Sequence, residues 1–430
     1  MTSLSNLGIG AIEVIICLWR MLLAWWWILP PFLFYPYWRG IYLNYIQDIW
    51  SRDKGKYKLL EIKLSEEINR PIKAMEQLFA NLWFVLDDPN AREKWLEGKQ
   101  ILHFSLEIVA REGSIHLLMR VPSGQAETAK SVIYAQYPEL EIQDFEEYTL
   151  KVPNPLPNQE WNLWGTDIKM IKPDSYPIKT YPVFFEESPS DKEQFKIEPM
   201  SALLEGLSTL KPGEQIWMQI VAAPTREDLT GWITRAKLAR DKVLQRGDAG
   251  KEIVRKPIFR QVIDILFFQQ EFKDVEVKEK TKPSLQDIPE AEKRIAEAID
   301  RKASKPSFEC FIRVLYLAKR DVFFKPRVTI PINFFLGFNT ENLNSFKPKS
   351  TSIKYPPLED KRLYLKQRDV FWHYLNRLFP GYPESKEVYI LNTEELASLF
   401  HFPSRAMAPA SGLERIRAKK GEPPSNLPVE

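Results

Sequence analysis

Hydrophobic and polar positions change period several times along the chain, and each change predicts an element. Residues 7–37 are almost wholly apolar (LGIGAIEVIICLWRMLLAWWWILPPFLFYPY). A membrane-spanning helix needs about 20 predominantly apolar residues. Residues 9–29 meet that, with Ile9 and Leu29 at the ends and only Glu13 and Arg20 charged. Those two share one helical face and read either as a helix-packing face or as the ends of a tilted helix. Trp25, Trp26, Trp27, Tyr35, Tyr37 and Trp38 form the pattern of an interfacial aromatic belt, and Pro30 and Pro31 end or interrupt the helix. No Lys or Arg precedes Arg20, whereas Arg39, Arg52, Lys54, Lys56 and Lys58 follow. The positive-inside rule then predicts a single-pass protein of the inner (cytoplasmic) membrane, with the N-terminus outside and the remaining domains in the cytoplasm. A cleaved leader is disfavoured, because the run lacks a basic start and a small-residue cleavage site.

Past this segment the pattern alternates between strand and helix periods. YKLLEIKL (residues 57–64) predicts a strand. Pro71 opens a helix with Ile72, Met75, Leu78, Phe79, Leu82, Trp83 and Leu86 at 3.6 spacing. ILHFSLEIVA and SIHLLMRV, joined by Glu112 and Gly113, predict a hairpin in which His116 faces Val109. One face would carry Phe104, Leu106, Ile108, Leu117, Met119 and Val121. A wetter face would carry His103, Ser105, Glu107, His116 and Arg120. A helix through Ala126, Ala129, Ile133 and Tyr137 and a strand LEIQDF complete β-α-β-β-α-β, the ferredoxin-like order.

Residues 151–182 hold six Pro with Trp161 and Trp164 between them, and read as an ordered joint. The order then repeats. A strand is expected at 183–186, a helix at 200–210, strands at 215–223 and 308–318, a helix from Val328 to Leu336, and an edge at 343–347. A helical insertion spans 225–305. In it, Thr225 and Asp228 resemble a capping box, 258–270 is strongly apolar and 289–302 is a charged helix. The arm either packs on its own domain or offers a coiled-coil-like contact. The expected fold class is α+β: a transmembrane helix, then two tandem ferredoxin-like units, the second carrying the insertion. The expected domains are 1–40, 41–150, the joint 151–182, 183–350, a helix-strand-helix at 351–403 and a basic, Pro-rich tail at 404–430.

Composition narrows the function classes. The 60 Lys and Arg nearly balance 57 Asp and Glu, so the chain lacks the concentrated positive surface that phosphate backbones demand. Two Cys and four His offer neither a disulfide framework nor a zinc cluster. The Gly-Lys pairs are followed by Tyr57, Gln100 and Glu252, so none is a phosphate loop. There is no G-x-S-x-G or H-E-x-x-H. His103 and His116 are expected as solvent-facing imidazoles. Glu66-Glu67 and Glu146-Glu147 are expected as solvated ends. Neither a catalytic residue, a metal site nor a cofactor is expected.

The most specific stretch is C-terminal. An aromatic helix (363–378) and a strand (388–391) lead into LNTEELASLFHFP, where Asn392 caps a helix and Glu395 occupies the capping-box position. Arg405, Arg415, Arg417, Lys419 and Lys420 follow. LNTEELASLFHFP with the later GEPPSNLP resembles the segment ahead of the ATPase module in a bacterial family of type IV secretion-related, conjugative coupling ATPases. IKAMEQLF, SLEIV, AQYPELEI, WGTDIK and LLEGLSTLKPGEQIWMQI resemble its amino-terminal region in the same order.

That resemblance implies a non-catalytic, membrane-anchored platform that docks a P-loop ATPase, or a fragment of a longer ATPase. The chain ends at Glu430, where the family's P-loop module would begin. The expected partner surfaces are the helical arm and the C-terminal stretch, with Asn392, Glu395, Leu396, Leu399, Phe400, Phe402, Arg415, Arg417, Lys419 and Lys420. Homo-oligomerisation fits the same role, and nucleic acid enters only indirectly. A single-stranded nucleic-acid-binding module is the alternative, although the wet face lacks the aromatic platform such binders use.

Overall fold

The computed structural model describes residues 19–20, 24, 34–53, 56–66, 68, 70–83, 90, 92–99, 101–186, 198–244, 288–349, 358–377, 388–403 and 412–416. They fall into two compact units, Met1–Lys56 with Asp88–Ile101, and Tyr57–Asp87 with Leu102–Glu430.

In the first unit, helix α1 (Tyr35–Asp53) packs on a single π-helical turn, Glu93–Glu97. Tyr42 Oη donates to the Trp95 carbonyl at 2.9 Å, and the Arg39 guanidinium lies 4.8 Å from the Trp95 ring centroid. Gly98 ends the turn at φ 69°, and a Cβ there would run into the Ile46 carbonyl. Only glycine meets both demands.

Among the described residues no helix is long and apolar enough to cross a membrane. The expected transmembrane helix, single-pass topology and inner-membrane location are corrected accordingly. Tyr35, Tyr37 and Trp38, assigned to an interfacial belt, instead open α1, whose exposed Arg39 is costly in hydrocarbon. Ile9, Glu13, Trp25, Trp26, Trp27 and Leu29 lie outside the described residues, and Arg20 is described and exposed.

The second unit is an α+β fold built on one ten-stranded, mostly antiparallel sheet. Its strands are β1 (Tyr57–Ser65), β2 (Phe104–Arg111), β3 (Ser114–Pro122), β4 (Glu141–Asp144), β5 (Trp161–Met170), β6 (Glu214–Thr225), β7 (Ser307–Lys319), β8 (Phe346–Pro348), β9 (Tyr389–Asn392) and β10 (Arg415–Ile416). The order is β10-β1-β3-β2-β6-β7-β5-β8, with β4 also on β1 and β9 also on β7. Among the described strands only β10 joins in parallel, Leu64 opposite Arg415.

The expectation of two separate tandem units is therefore corrected. β2 and β6 pair from Phe104↔Ala222 to Arg111↔Gln215, so the two halves of the chain share one sheet. The physical reason is edge satisfaction. A four-strand β-α-β-β-α-β half ends on an open strand with unpaired N–H and C=O groups. Pairing two such edges satisfies both.

One face of the sheet carries helices α2 (Ile72–Leu82), α3 (Ala126–Gln136), α4 (Ser201–Ser208), α7 (Thr329–Leu336) and α9 (Thr393–Leu399). Two further helices, α5 (Trp232–Val243) and α6 (Glu290–Ala303), belong to the insertion. Ile72, Met75, Leu78, Phe79 and Leu82 of α2 are all buried, as an apolar stripe at 3.6 spacing requires. They pack with Phe104, Phe308, Leu203, Leu207, Phe335, Leu396 and Leu399 in the principal core. The opposite face is covered by α8 (Glu359–Asn376) and by residues 148–156.

Three smaller expectations are also corrected. WNLWGTDIKM, placed in a joint, is strand β5, paired between β7 and β8. The Pro cluster at 153–157 precedes it and Pro173 follows, so ten Pro-free alternating residues were hidden by their neighbours. Residues 183–186 fall in a helical turn, Tyr181–Glu186, rather than a strand. Thr225 ends β6 instead of capping a helix, and Glu227 caps α5 through the N–H groups of Ile233 and Thr234 at 2.6 and 3.0 Å. In the arm, α5 and α6 pack through Trp232, Ala236 and Ile299 against Ile390 of the sheet. Residues 258–270 lie outside the described residues.

Candidate functional site

Helix α8 covers a row of buried polar and charged residues on the sheet. Four polar residues stand directly opposite one another across four adjacent strands: Glu107↔Gln219↔Arg313↔Asp167. Directly opposed residues share a face, and here that face is under α8. Gln219 sits alone in the apolar run IWMQIVAA, whereas Glu107 in HFSLEIVA and Arg313 in FECFIRVLYLA share their strands with other polar residues. All four are buried.

Apolar contacts hold α8 in place. Phe371 and Tyr374 are buried, with Val370 and Leu375 beside them, against Leu163, Trp217, Leu315 and Leu317. Gly165 permits the close approach of helix and strand. A Cβ there would lie 2.6 Å from Leu315 Cδ2 and 2.9 Å from Val370 Cγ1.

At one end of the row Arg377 latches the end of α8 to the sheet. Its Nε donates to Glu107 Oε1 at 2.7 Å and its Nη2 to Oε2 at 3.1 Å. Glu107 also accepts from Ser105 Oγ at 2.6 Å, Tyr148 Oη at 2.8 Å and Gln219 Nε2 at 3.2 Å. Tyr148 and Tyr374 hydroxyls meet at 2.9 Å, and Arg377 reaches Glu147 at 2.9 Å. Burial pushes the Glu107 carboxyl up, but Arg377 and the hydroxyl donors outweigh it and hold the group at about 2. Arg377 itself has φ 51°, a left-handed conformation in which a residue other than glycine costs about 1–3 kcal/mol.

At the other end the row opens into a cavity of about 230 Å³ between α8 and strands β5 and β7. Arg313, Lys349, Lys366, His373, Asp167 and Asp369 line it. Arg313 is 2% exposed, its guanidinium carbon 4.2 Å from the Phe311 ring centroid. Its Nη1 donates to the His373 carbonyl at 3.2 Å. Asp167 lies 3.5 Å from Arg313 Nε and 3.8 Å from Lys349 Nζ, so one carboxylate is shared by two cations at long range. Among the described residues no group of three or more His, Cys, Asp or Glu could hold a metal ion.

The face expected to be wet is thus an interior. His103 is buried and within 3.3 Å of Tyr57 Oη, and His116 pairs with Glu61 at 2.5 Å. Both had been expected in solvent. Arg120 stacks 3.8 Å from the Tyr57 ring centroid. Burial and the positive charge of Arg377 hold its guanidinium down at about 10. Glu147 is bound by Arg377 rather than solvated, while Glu146 pairs at the surface with Lys151 at 2.9 Å.

The C-terminal stretch is placed inside the second unit. Asn392 caps α9 and Glu395 closes the reciprocal capping box. Asn392, Glu395, Leu396, Leu399, Phe400 and Phe402 are all buried. Glu395 binds Lys302 at 3.0 Å and the Ile178 N–H at 2.9 Å. Glu394 binds Lys305 at 2.6 Å, and His401 pairs with Glu198. These side chains are occupied internally and present no contact surface. Arg415 lies in β10, donating to the Ser65 and Pro403 carbonyls. Arg417, Lys419 and Lys420 lie outside the described residues.

Arg313, Asp167 and Arg377 were not among the sequence candidates. Arg313 is the one cation inside the mostly apolar run FECFIRVLYLA, whereas Asp167 shares its strand with Asn162, Thr166 and Lys169 and gives no such signal. Arg377 becomes visible only when the fold brings it to Glu107. Comparison with the curated proteins finds no match. A family described as Domain of unknown function (DUF8128) matches residues 45–411, which takes in strands β1 to β9, α8 and the cavity, and the chain belongs to that family.

Proposed function

We propose that the chain is a non-catalytic docking subunit, and that the outer face of α8 receives a P-loop ATPase. The observation that supports this is an apolar stripe. Leu358, Leu365 and Trp372 stand seven residues apart and are 65, 52 and 51% exposed, on the side opposite the buried Phe371 and Tyr374. Seven residues is nearly two helical turns, so Leu365 and Trp372 share a face, with Leu358 exposed just ahead of the helix. A contiguous exposed apolar stripe marks an interaction surface more often than scattered residues do. Lys361, Arg362 and Arg368 are exposed beside it, which suits a partner with an acidic rim.

A helix already fixed to a sheet loses little entropy on binding, so its contacts convert efficiently to affinity. The choice of an ATPase as occupant rests on the ordered resemblance of the sequence motifs. The test is affinity capture from the native cell with the full chain, followed by identification of bound P-loop ATPases. Wild type should retain one, and Leu365→Lys with Trp372→Ala should lose it while keeping the wild-type melting temperature. Retention by the double variant, or no P-loop ATPase with wild type, sinks the proposal.

A further inference from the structure

We propose that two copies of this chain associate through α1, helix against helix, along a seam of exposed aromatic side chains. The inference is independent of α8, which belongs to the other unit. Spacing, area and charge carry it.

Tyr35, Trp38, Tyr42, Tyr45 and Ile49 follow one another at steps of three, four, three and four residues. That alternation is the seam of two packed helices, in which each side chain enters a hole on the facing helix. The five, with Ile41 beside them, are 43–66% exposed. The turn Glu93–Glu97 braces the neighbouring side of α1. There Arg39 lies over the Trp95 ring, and a Cβ on Gly98 would meet the Ile46 carbonyl. Tyr42, at the edge of the seam, donates to the Trp95 carbonyl. A helix braced on one side and open on the next loses little order when a second helix arrives.

The exposed area is that of a dimer interface. At about 200 Å² for a side chain of this size, the six residues expose on the order of 650 Å² per copy. Two copies would bury about 1,300 Å², inside the roughly 1,200–2,000 Å² of a stable protein–protein contact. The largest apolar patch of a typical monomer is smaller, about 300–600 Å².

Charge selects the occupant. From Tyr35 to Ile49 the seam holds no charged residue, so it offers an acidic or basic partner nothing to pair with. It is complementary to itself, and a two-fold axis sets one patch against its own copy. Tyr and Trp are enriched, and charges depleted, at the core of such interfaces. A lipid surface is a poorer fit. Helices that lie on bilayers present Lys and Arg on their polar face, whereas α1 has no Lys and its Arg39 lies over Trp95.

The test is sedimentation velocity on the full chain. Wild type should sediment as a dimer at micromolar concentration. Trp38→Glu and Tyr45→Glu each replace an exposed side chain, so the melting temperature should stay at the wild-type value while dimerisation weakens at least tenfold. Leu238→Glu, at an exposed position of α5, should leave the dimer intact. A second measurement reads proximity directly. In a Cys17→Ser background, with Cys310 buried, a short bismaleimide should join two copies carrying Tyr45→Cys and should not join copies carrying Leu238→Cys. A monomeric wild type, or a dimer that both Trp38→Glu and Tyr45→Glu leave intact, overturns the proposal. So does a monomer that floats with phosphatidylcholine vesicles and loses them on Trp38→Glu, which would give the seam to a lipid surface.

Discussion

On one face of the sheet, five helices bury Leu, Ile and Phe against one another. On the other, α8 and residues 148–156 cover a row of polar and charged residues. The first face gains from apolar area removed from water, at about 25 cal/mol per Å². The second must first offset the cost of taking Glu107, Arg313 and Asp167 out of water, which only tight pairing does. The contrast extends to individual ion pairs. Glu395, among the helices, accepts from Lys302 and two backbone N–H groups, and burial still dominates, so its carboxyl is pushed up despite Lys302. Glu107, under α8, accepts two bonds from Arg377 and three from neutral side chains, and its carboxyl is held down. Two buried glutamates in one domain are thus driven in opposite directions by the number and charge of their donors.

The largest effects should come from breaking each face at its centre. Phe104→Ala removes a ring 6.3 Å from Phe79 and 5.6 Å from Phe308. Such truncation costs about 3–5 kcal/mol, readable by urea unfolding. A loss under about 1 kcal/mol would mean that the helical face is not the apolar core it looks like. Arg377→Met should also cost about 3–5 kcal/mol, because Glu107 stays buried without its cation. Adding Glu107→Leu should restore most of that loss, whereas an additive double variant would show that the pair is not the cause.

Acid titration sharpens the contrast. Glu107 is lowered in the folded state, so its contribution is present above the ordinary carboxylate value near 4.3. It fades as pH falls through about 2 and is on the order of 3 kcal/mol. Glu395 is raised, so its contribution is complete below the ordinary value and is lost as pH rises through its folded value. Wild type minus Glu107→Gln and wild type minus Glu395→Gln should therefore slope oppositely when unfolding energy is plotted against pH. Parallel curves would refute the assignment.

Smaller effects follow at the helix–sheet seam. Gly165→Val should lift α8 and cost about 1–3 kcal/mol through overpacking, with Tyr374 becoming accessible to solvent quenchers. Trp372→Ala, on the outer side of the same helix, should change stability by less than about 0.5 kcal/mol. A larger loss would move Trp372 from a docking role to a structural one.

Much of the local structure was legible. The hairpin register Val109↔His116 followed from the Glu112-Gly113 turn and strict alternation, because both turn residues take φ > 0. The Asn392 and Glu395 cap was visible because a capping box is local. Strand β5 was missed because flanking Pro residues masked it. The candidate site was legible only in part. Glu107 was noticed and placed in water, since alternation says that a face is polar without saying whether something covers it.

The sequence alone determined most strands and helices of the second unit, β5 and the helical turn Tyr181–Glu186 excepted, because periodicity, caps and turn residues act over a few positions. It also marked Glu107 as a polar position in strand β2. Tertiary structure decided that two edges would fuse into one sheet, that α8 would bury the polar face, and that LNTEELASLF would end inside a core. Those outcomes depend on contacts between residues as far apart as Glu107 and Arg377. No local pattern carries the energy of a pairing that exists only once the chain has folded.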